Sequence, residues 1–227
     1  MPTFQDFTEH DFVELAGTSW RNRGALGGVL AALLRPDLAH NTQSWGVRRR
    51  LELHIARRSH YDFDDPFPYA KLFVYTTGDL AYGFYVEGTG KRSDDTKYHD
   101  WRNFRELLRT DDRFRQALSA AIVEHDLLIA DYYRRNSDGG ALGGQFQSTN
   151  GRLQWCPAGQ GDWEDSTFDE FIERVTSLNG ERWIDLHIFA RMDRTTAVAM
   201  GQKVLEPLVS VLGALVPVYQ AVIAPCG

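Results

Sequence analysis

Residues 145–156 read Gln-Phe-Gln-Ser-Thr, then Asn150-Gly151, then Arg-Leu-Gln-Trp-Cys, and no other stretch constrains the fold as strongly. Asn-Gly accepts the positive φ angles that a two-residue hairpin turn needs at both central positions. The flanking residues alternate between apolar and polar, the period of a strand with one buried face. Part of this chain must therefore be antiparallel sheet.

Three further regions carry the same period. Residues 48–58 (RRRLELHIARR) set Leu51, Leu53 and Ile55 on one face and Glu52, His54 and Ala56 on the other. Residues 69–77 and 80–88 predict a second hairpin around a tight turn at Gly78-Asp79, and residues 182–192 predict another strand. The rest reads mostly as helix. Thr8 opens a short capped helix, and a second over 25–35 stops before Pro36, because the residue preceding proline avoids the α region. Residues 98–110 and 111–124 space their apolar side chains helically, and 127–133 extends the latter. A helix over 166–178 has acids in its first turns and closes at Asn179-Gly180. A final helix over 194–223 bends near Pro207 and Pro217. Residues 36–46 read as loop.

These elements predict an α+β fold: a mixed, mainly antiparallel sheet of about six strands with helices packed on one side. The glycine-rich stretch 136–144 separates an N-terminal lobe (1–136; helix, strand meander, helices) from a C-terminal lobe (137–227; hairpin, helix, strand, helix), the two forming one continuous domain. Two echoes raise an internal duplication. GALGG occurs at 24–28 and 140–144, and LELHIARR (51–58) resembles IDLHIFAR (184–191).

Composition excludes several classes. With 43% apolar residues the chain can bury a core, and a net charge of -6 argues against a surface built wholly for nucleic acid. Cys156 and Cys226 are the only cysteines, too few for a disulfide framework or a zinc site. With an acidic N-terminal stretch that lacks an apolar run, this predicts a soluble, cytoplasmic protein. Residues 207–226 carry no charge and could span a bilayer by length. Pro207, Pro217 and Pro225 interrupt them and no basic anchor follows, so the expectation is a buried core helix or an interface with a protein partner or second copy, and no membrane. Only four of the 25 lysine and arginine residues are lysine, a bias that points to a GC-rich bacterial genome and weakens any argument from arginine alone.

The candidate chemistry lies on the paired strands. Glu52 shares a strand face with His54, and Asp185 with His187. If the two strands were neighbours, these four residues would make a ligand set for a divalent metal such as Zn²⁺ or Mn²⁺, or an acid–base group. Otherwise they line the wet face of a half-buried sheet. Arg102, Arg105, Arg109 and Arg113 form one helical stripe that could meet phosphates, with aromatics for stacking, although Glu106, Asp111 and Asp112 interleave with it. Other motifs fail on detail. The acidic loop 60–66 lacks the glycine and glutamate of a calcium loop. His99-Asp100 and His125-Asp126 stand in a chain too rich in strands for an all-helical phosphohydrolase. Asp79, Glu87 and Lys91 miss the spacing of a nuclease site, and neither GALGG continues into the Lys-Ser/Thr of a phosphate loop. The expectation is a binding or interaction protein without a complete catalytic motif. The alternatives are a metal-dependent hydrolase or nuclease on the paired strands and a nucleic-acid-binding module on the arginine stripe.

Overall fold

A computed structural model describes residues 4–12, 20–34, 38, 42–46, 52–57, 70–88, 99–131, 140–178 and 184–224. Helix α1 (Trp20–Leu34) precedes strands β1 (Thr42–Gly46), β2 (Glu52–Arg57), β3 (Lys71–Tyr75) and β4 (Leu80–Gly88). Helices α2 (His99–Thr110) and α3 (Asp112–Glu124) lead to β5 (Leu128–Asp131), β6 (Gly144–Thr149), β7 (Arg152–Pro157) and the short β8 (Glu164–Asp165). Then come α4 (Phe168–Ser177), β9 (Ile184–Met192), α5 (Arg194–Ala199) and α6 (Leu205–Ile223).

The fold is α+β, but the sheet is larger than its pattern suggests. Nine strands form a single sheet in the order β1-β2-β3-β4-β9-β5-β6-β7-β8. Each of its pairs is antiparallel rather than mixed. Strand β9 enters between β4 and β5, so strands from both sides of the glycine-rich stretch share one ladder. The expected hairpin is present, with φ of 52° at Asn150 and 77° at Gly151.

Three differences have local causes. Residues 42–46, read as loop, pair with β2 along the edge of the sheet. Residues 128–131 are a strand, not more helix, because Asp126 adopts φ 48° and ends α3 before an apolar run that either period would accept. The last helix is three pieces. Gly201, at φ 56°, separates α5 from a 3-10 turn (Gly201–Val204), while Pro207 sits in the first turn of α6, where no intrahelical donor is required. The echoes are not equivalent either: the first GALGG is helical, within α1, and the second is a 3-10 turn (Gly140–Leu142) running into β6.

The register gives each face of the sheet its composition. Leu53, Ile55, Leu72, Val74, Leu80, Phe84, Val86, Leu186, Ile188, Ile129 and Phe146 form one core with the helices, and α6 sits against α1, α2, α3, β3 and β4. Residues Gly201–Ile223 are long and apolar enough to cross a membrane, and half of the most apolar part of that stretch is buried within the protein. Asn103 of α2 donates to the carbonyls of Ala221 (3.0 Å) and Val222 (2.7 Å), closing the end of α6. At α4, the Thr167 hydroxyl accepts from the Glu170 amide (3.2 Å) while the Glu170 carboxylate accepts from the Thr167 amide (2.8 Å). Thr167→Ala should lower stability by about 1 kcal/mol in urea denaturation. Bonds from Ser166 and Thr167 hold the Glu170 carboxyl below its ordinary pKa, so the cap is complete above the glutamate range and weakens as pH falls through it. Protection factors of the amides in the first turn of α4, corrected for the slower intrinsic exchange in acid, should fall on acidification, and the Thr167→Ala variant should lose most of that response.

Candidate functional site

The second face of the sheet is built from the alternate positions. Cross-strand pairing sets His54 opposite Phe73, Lys71 opposite Tyr85, Tyr75 opposite Ala81, and Gly83 opposite both Phe73 and Phe189. Tyr85 and Ala130 flank His187, and Glu87 faces Asp185. This face is not wet. His54 is 5% exposed, Asp185 8% and His187 1%, and Phe73, Tyr75, Tyr85 and Phe189 form a second apolar cluster separate from the helix-bearing core.

Tyr85 joins the polar groups. Its hydroxyl lies 2.9 Å from Asp185 Oδ1 and is also hydrogen-bonded to Glu87 Oε2. The Lys71 ammonium sits 4.2 Å above the centre of the same ring. Burial, with Glu87 and Asp185 alongside, raises the Tyr85 pKa well above that of a free phenol. The hydroxyl therefore stays protonated and donates, and it is a poor proton acceptor. Hydrogen-bonding that proton to a carboxylate also enriches the ring face, which favours the ammonium above it.

His187 packs edge-on against Tyr85 (4.7 Å between ring centres) and Phe73 (5.2 Å). Its Nδ1 lies 2.8 Å from the main-chain carbonyl of Asp185. A carbonyl only accepts, so Nδ1 carries the proton and Nε2 is the accepting nitrogen of the neutral ring. The Asp185 amide in turn donates to Asp131 Oδ1 (2.8 Å), and Asp131 Oδ2 accepts from the Ala141 amide. Burial raises the Asp131 pKa despite these bonds. Along the face, polarity increases from His187 and Phe73 toward Glu87, which is only half-buried.

The sequence-derived site divides. The four positions share one face, but β3 and β4 separate β2 from β9, about 14 Å at the usual strand spacing. His54 and His187 each stand 6.0 Å, centre to centre, from Tyr75, whose ring lies between them. The Glu52 side chain lies outside the described residues, and among the described residues no three His, Cys, Asp or Glu side chains converge as metal ligands. Tyr85, Glu87 and Lys71 were not singled out as partners of Asp185 and His187. Their signal was the alternation of 69–77 and 80–88, and it needed the hairpin register to become a site.

The arginine stripe is partly engaged. Arg105 and Arg109 both donate to the Thr176 carbonyl, at 2.6 and 2.9 Å, closing the end of α4, and Arg109 also faces Glu106 at 3.8 Å. Arg102 and Arg113 are exposed. The other motifs hold the fold together where they are described. Asp100 accepts from the Ala70 amide (2.8 Å), Asp79 pairs with Arg191, and the Cys156 thiol points to the Gln160 carbonyl (3.0 Å). The acidic loop 60–66, Lys91 and arginines 48–50 and 58 lie outside the described residues. Compared with known proteins, the chain matches no family model and no curated protein.

Proposed function

We propose that this protein is a binding protein whose ligand site is the second face of the sheet, around Tyr85, Glu87, Asp185 and His187. One observation carries the reading: Lys71, Asp185 and His187 are buried together in a layer that aliphatic side chains would fill more favourably. Burying charged groups costs several kcal/mol per ion, and well-packed apolar substitutes are often at least as stable. A sheet face that needed only to pack would resemble the other one, which is mostly Leu, Ile, Val and Phe with Tyr82 and Asp131 among its polar exceptions. Tyr85, whose hydroxyl is held protonated by burial and by the neighbouring carboxylates, is the kind of perturbed group in which binding and catalytic sites are enriched. Here the phenol proton is committed to carboxylates, which suits recognition better than turnover. A cytoplasmic setting belongs to the same proposal, from the scarcity of cysteine.

The test is protein-observed NMR titration of the full chain with small amines, alcohols, carboxylates and phosphates. At least one class should bind at about 1 mM or tighter, shift the Tyr85 and His187 resonances, and lose affinity in His187→Phe. No binding by any class, or binding that His187→Phe leaves unchanged, would overturn the proposal.

A further inference from the structure

Helix α2 sets two guanidinium groups against one oxygen. Arg105 and Arg109 stand one turn apart, and both donate through Nη2 to the main-chain carbonyl of Thr176, at 2.6 and 2.9 Å. One arginine is enough to close a helix end. The last turn of α4 offers only about half a unit of negative charge, against two full positive ones. Glu106 faces Arg109 alone, at 3.8 Å, and both of those side chains are open to solvent, where such a pair counts for little. Among the described residues Arg105 has no carboxylate within ion-pair distance, and its Nε–H is buried without an acceptor. Burial first, and Arg109 after it, lower the Arg105 pKa. Holding this charge therefore has a cost that the Thr176 carbonyl offsets only in part.

We propose that Arg105 and Arg109 form an anion site, on the helix-bearing side of the sheet, for phosphate, free or carried by a small molecule. Two guanidinium forks side by side present donors in the planar geometry that pairs bidentately with phosphate. Their two charges match a dianion better than a single carboxylate. Arg109, with 46% of its side chain exposed, gives the anion its way in. Arg105, half-buried behind it, gains the counter-charge it lacks. The packing of Trp101, Phe104 and Leu108 into the core places α2 on the opposite side of the sheet from Tyr85 and His187. The two sites are separate, and neither needs the other.

The experiment is a titration of the full chain with sodium phosphate and with phenyl phosphate at constant ionic strength, read on the arginine Nε–H signals by proton–nitrogen NMR. The Arg105 and Arg109 signals should shift together and reach half-saturation at about 1 mM or below, independently of any change at Tyr85 and His187. Arg109→Gln should remain folded, because that side chain is largely in solvent, and should bind phosphate at least tenfold more weakly. Arg109→Lys keeps the charge but not the fork and should fall between the two. Tighter binding of phenyl phosphate would point to a phosphomonoester as the ligand, and equal binding to the free ion. A wild-type Arg105 signal that neither phosphate moves would overturn the inference, whatever the variants do. So would equal shifts when chloride replaces phosphate, or an unchanged affinity in folded Arg109→Gln. A short single-stranded oligonucleotide that binds through both arginines when neither phosphate does would overturn it in favour of a nucleic-acid surface.

Discussion

Gly83→Ala should cost the fold about 3 kcal/mol or more, at the upper end of what overpacking does in protein cores. A Cβ at position 83 would stand 2.1 Å from the carbonyl oxygen of Ile188 and 2.6 Å from Cα of Phe189. Both are main-chain atoms in the middle of β9, which has strands on either side and cannot retreat alone. Gly83 also faces Phe73 and Phe189, whose rings lie 6.4 Å apart, so the missing side chain is the space in which the aromatic layer closes. A flexible side chain could turn away from a new methyl, but a ladder carbonyl cannot without losing its hydrogen bond. Urea denaturation should show a midpoint well below wild type with an unchanged slope. A loss under about 1 kcal/mol would mean that β4 and β9 are further apart than described. In a strand, glycine usually lowers stability; here it permits the approach on which the whole site depends.

The alternation of 51–56 and 184–189 was enough to show that His54 and His187 belong opposite the leucine and isoleucine face. It could not show that this opposite face is buried, because polar side chains on a strand read as solvated whatever covers them. Nor could it order the strands. β2 and β9 look like twins in sequence, yet two strands lie between them, and strand order follows from long-range packing rather than from local period. The hairpin register was a finer obstacle. A two-residue turn at Gly78-Asp79 would pair Tyr75 with Tyr82, whereas the chain pairs Tyr75 with Ala81. A slip of one residue moves every partner to the other face. Tyr85 would then have been matched with the wrong side chains, and Lys71 would not lie above its ring. Asn150-Gly151, by contrast, left no such freedom, because two consecutive positive φ angles select one turn and one register.

The Tyr85 hydroxyl makes the second large prediction. Tyr85→Phe keeps the ring, and with it the seat for the Lys71 ammonium, but removes the donor shared by Glu87 and Asp185. The single phenol proton makes at most one full hydrogen bond to a charged group at a time, worth roughly 1.5–3 kcal/mol, so the variant should lose about 2 kcal/mol at neutral pH. Part of that loss is not the missing bond. Glu87 and Asp185 are directly opposed across β4 and β9, where like charges destabilise a pair, and the hydroxyl between them screens one from the other. The two contributions separate in a double-mutant cycle. Glu87→Gln in the Tyr85→Phe background removes one charge and supplies an amide that can donate to Asp185, so the double variant should be more stable than Tyr85→Phe alone. In the wild-type background the same Glu87→Gln change should be mildly destabilising, because it gives up a charged acceptor for the phenol. The sign of the coupling is the decisive measurement. If Glu87→Gln lowers stability equally in both backgrounds, the hydroxyl only fills space. A reversal of sign between backgrounds means that the phenol proton is what lets this sheet face hold two carboxylates side by side.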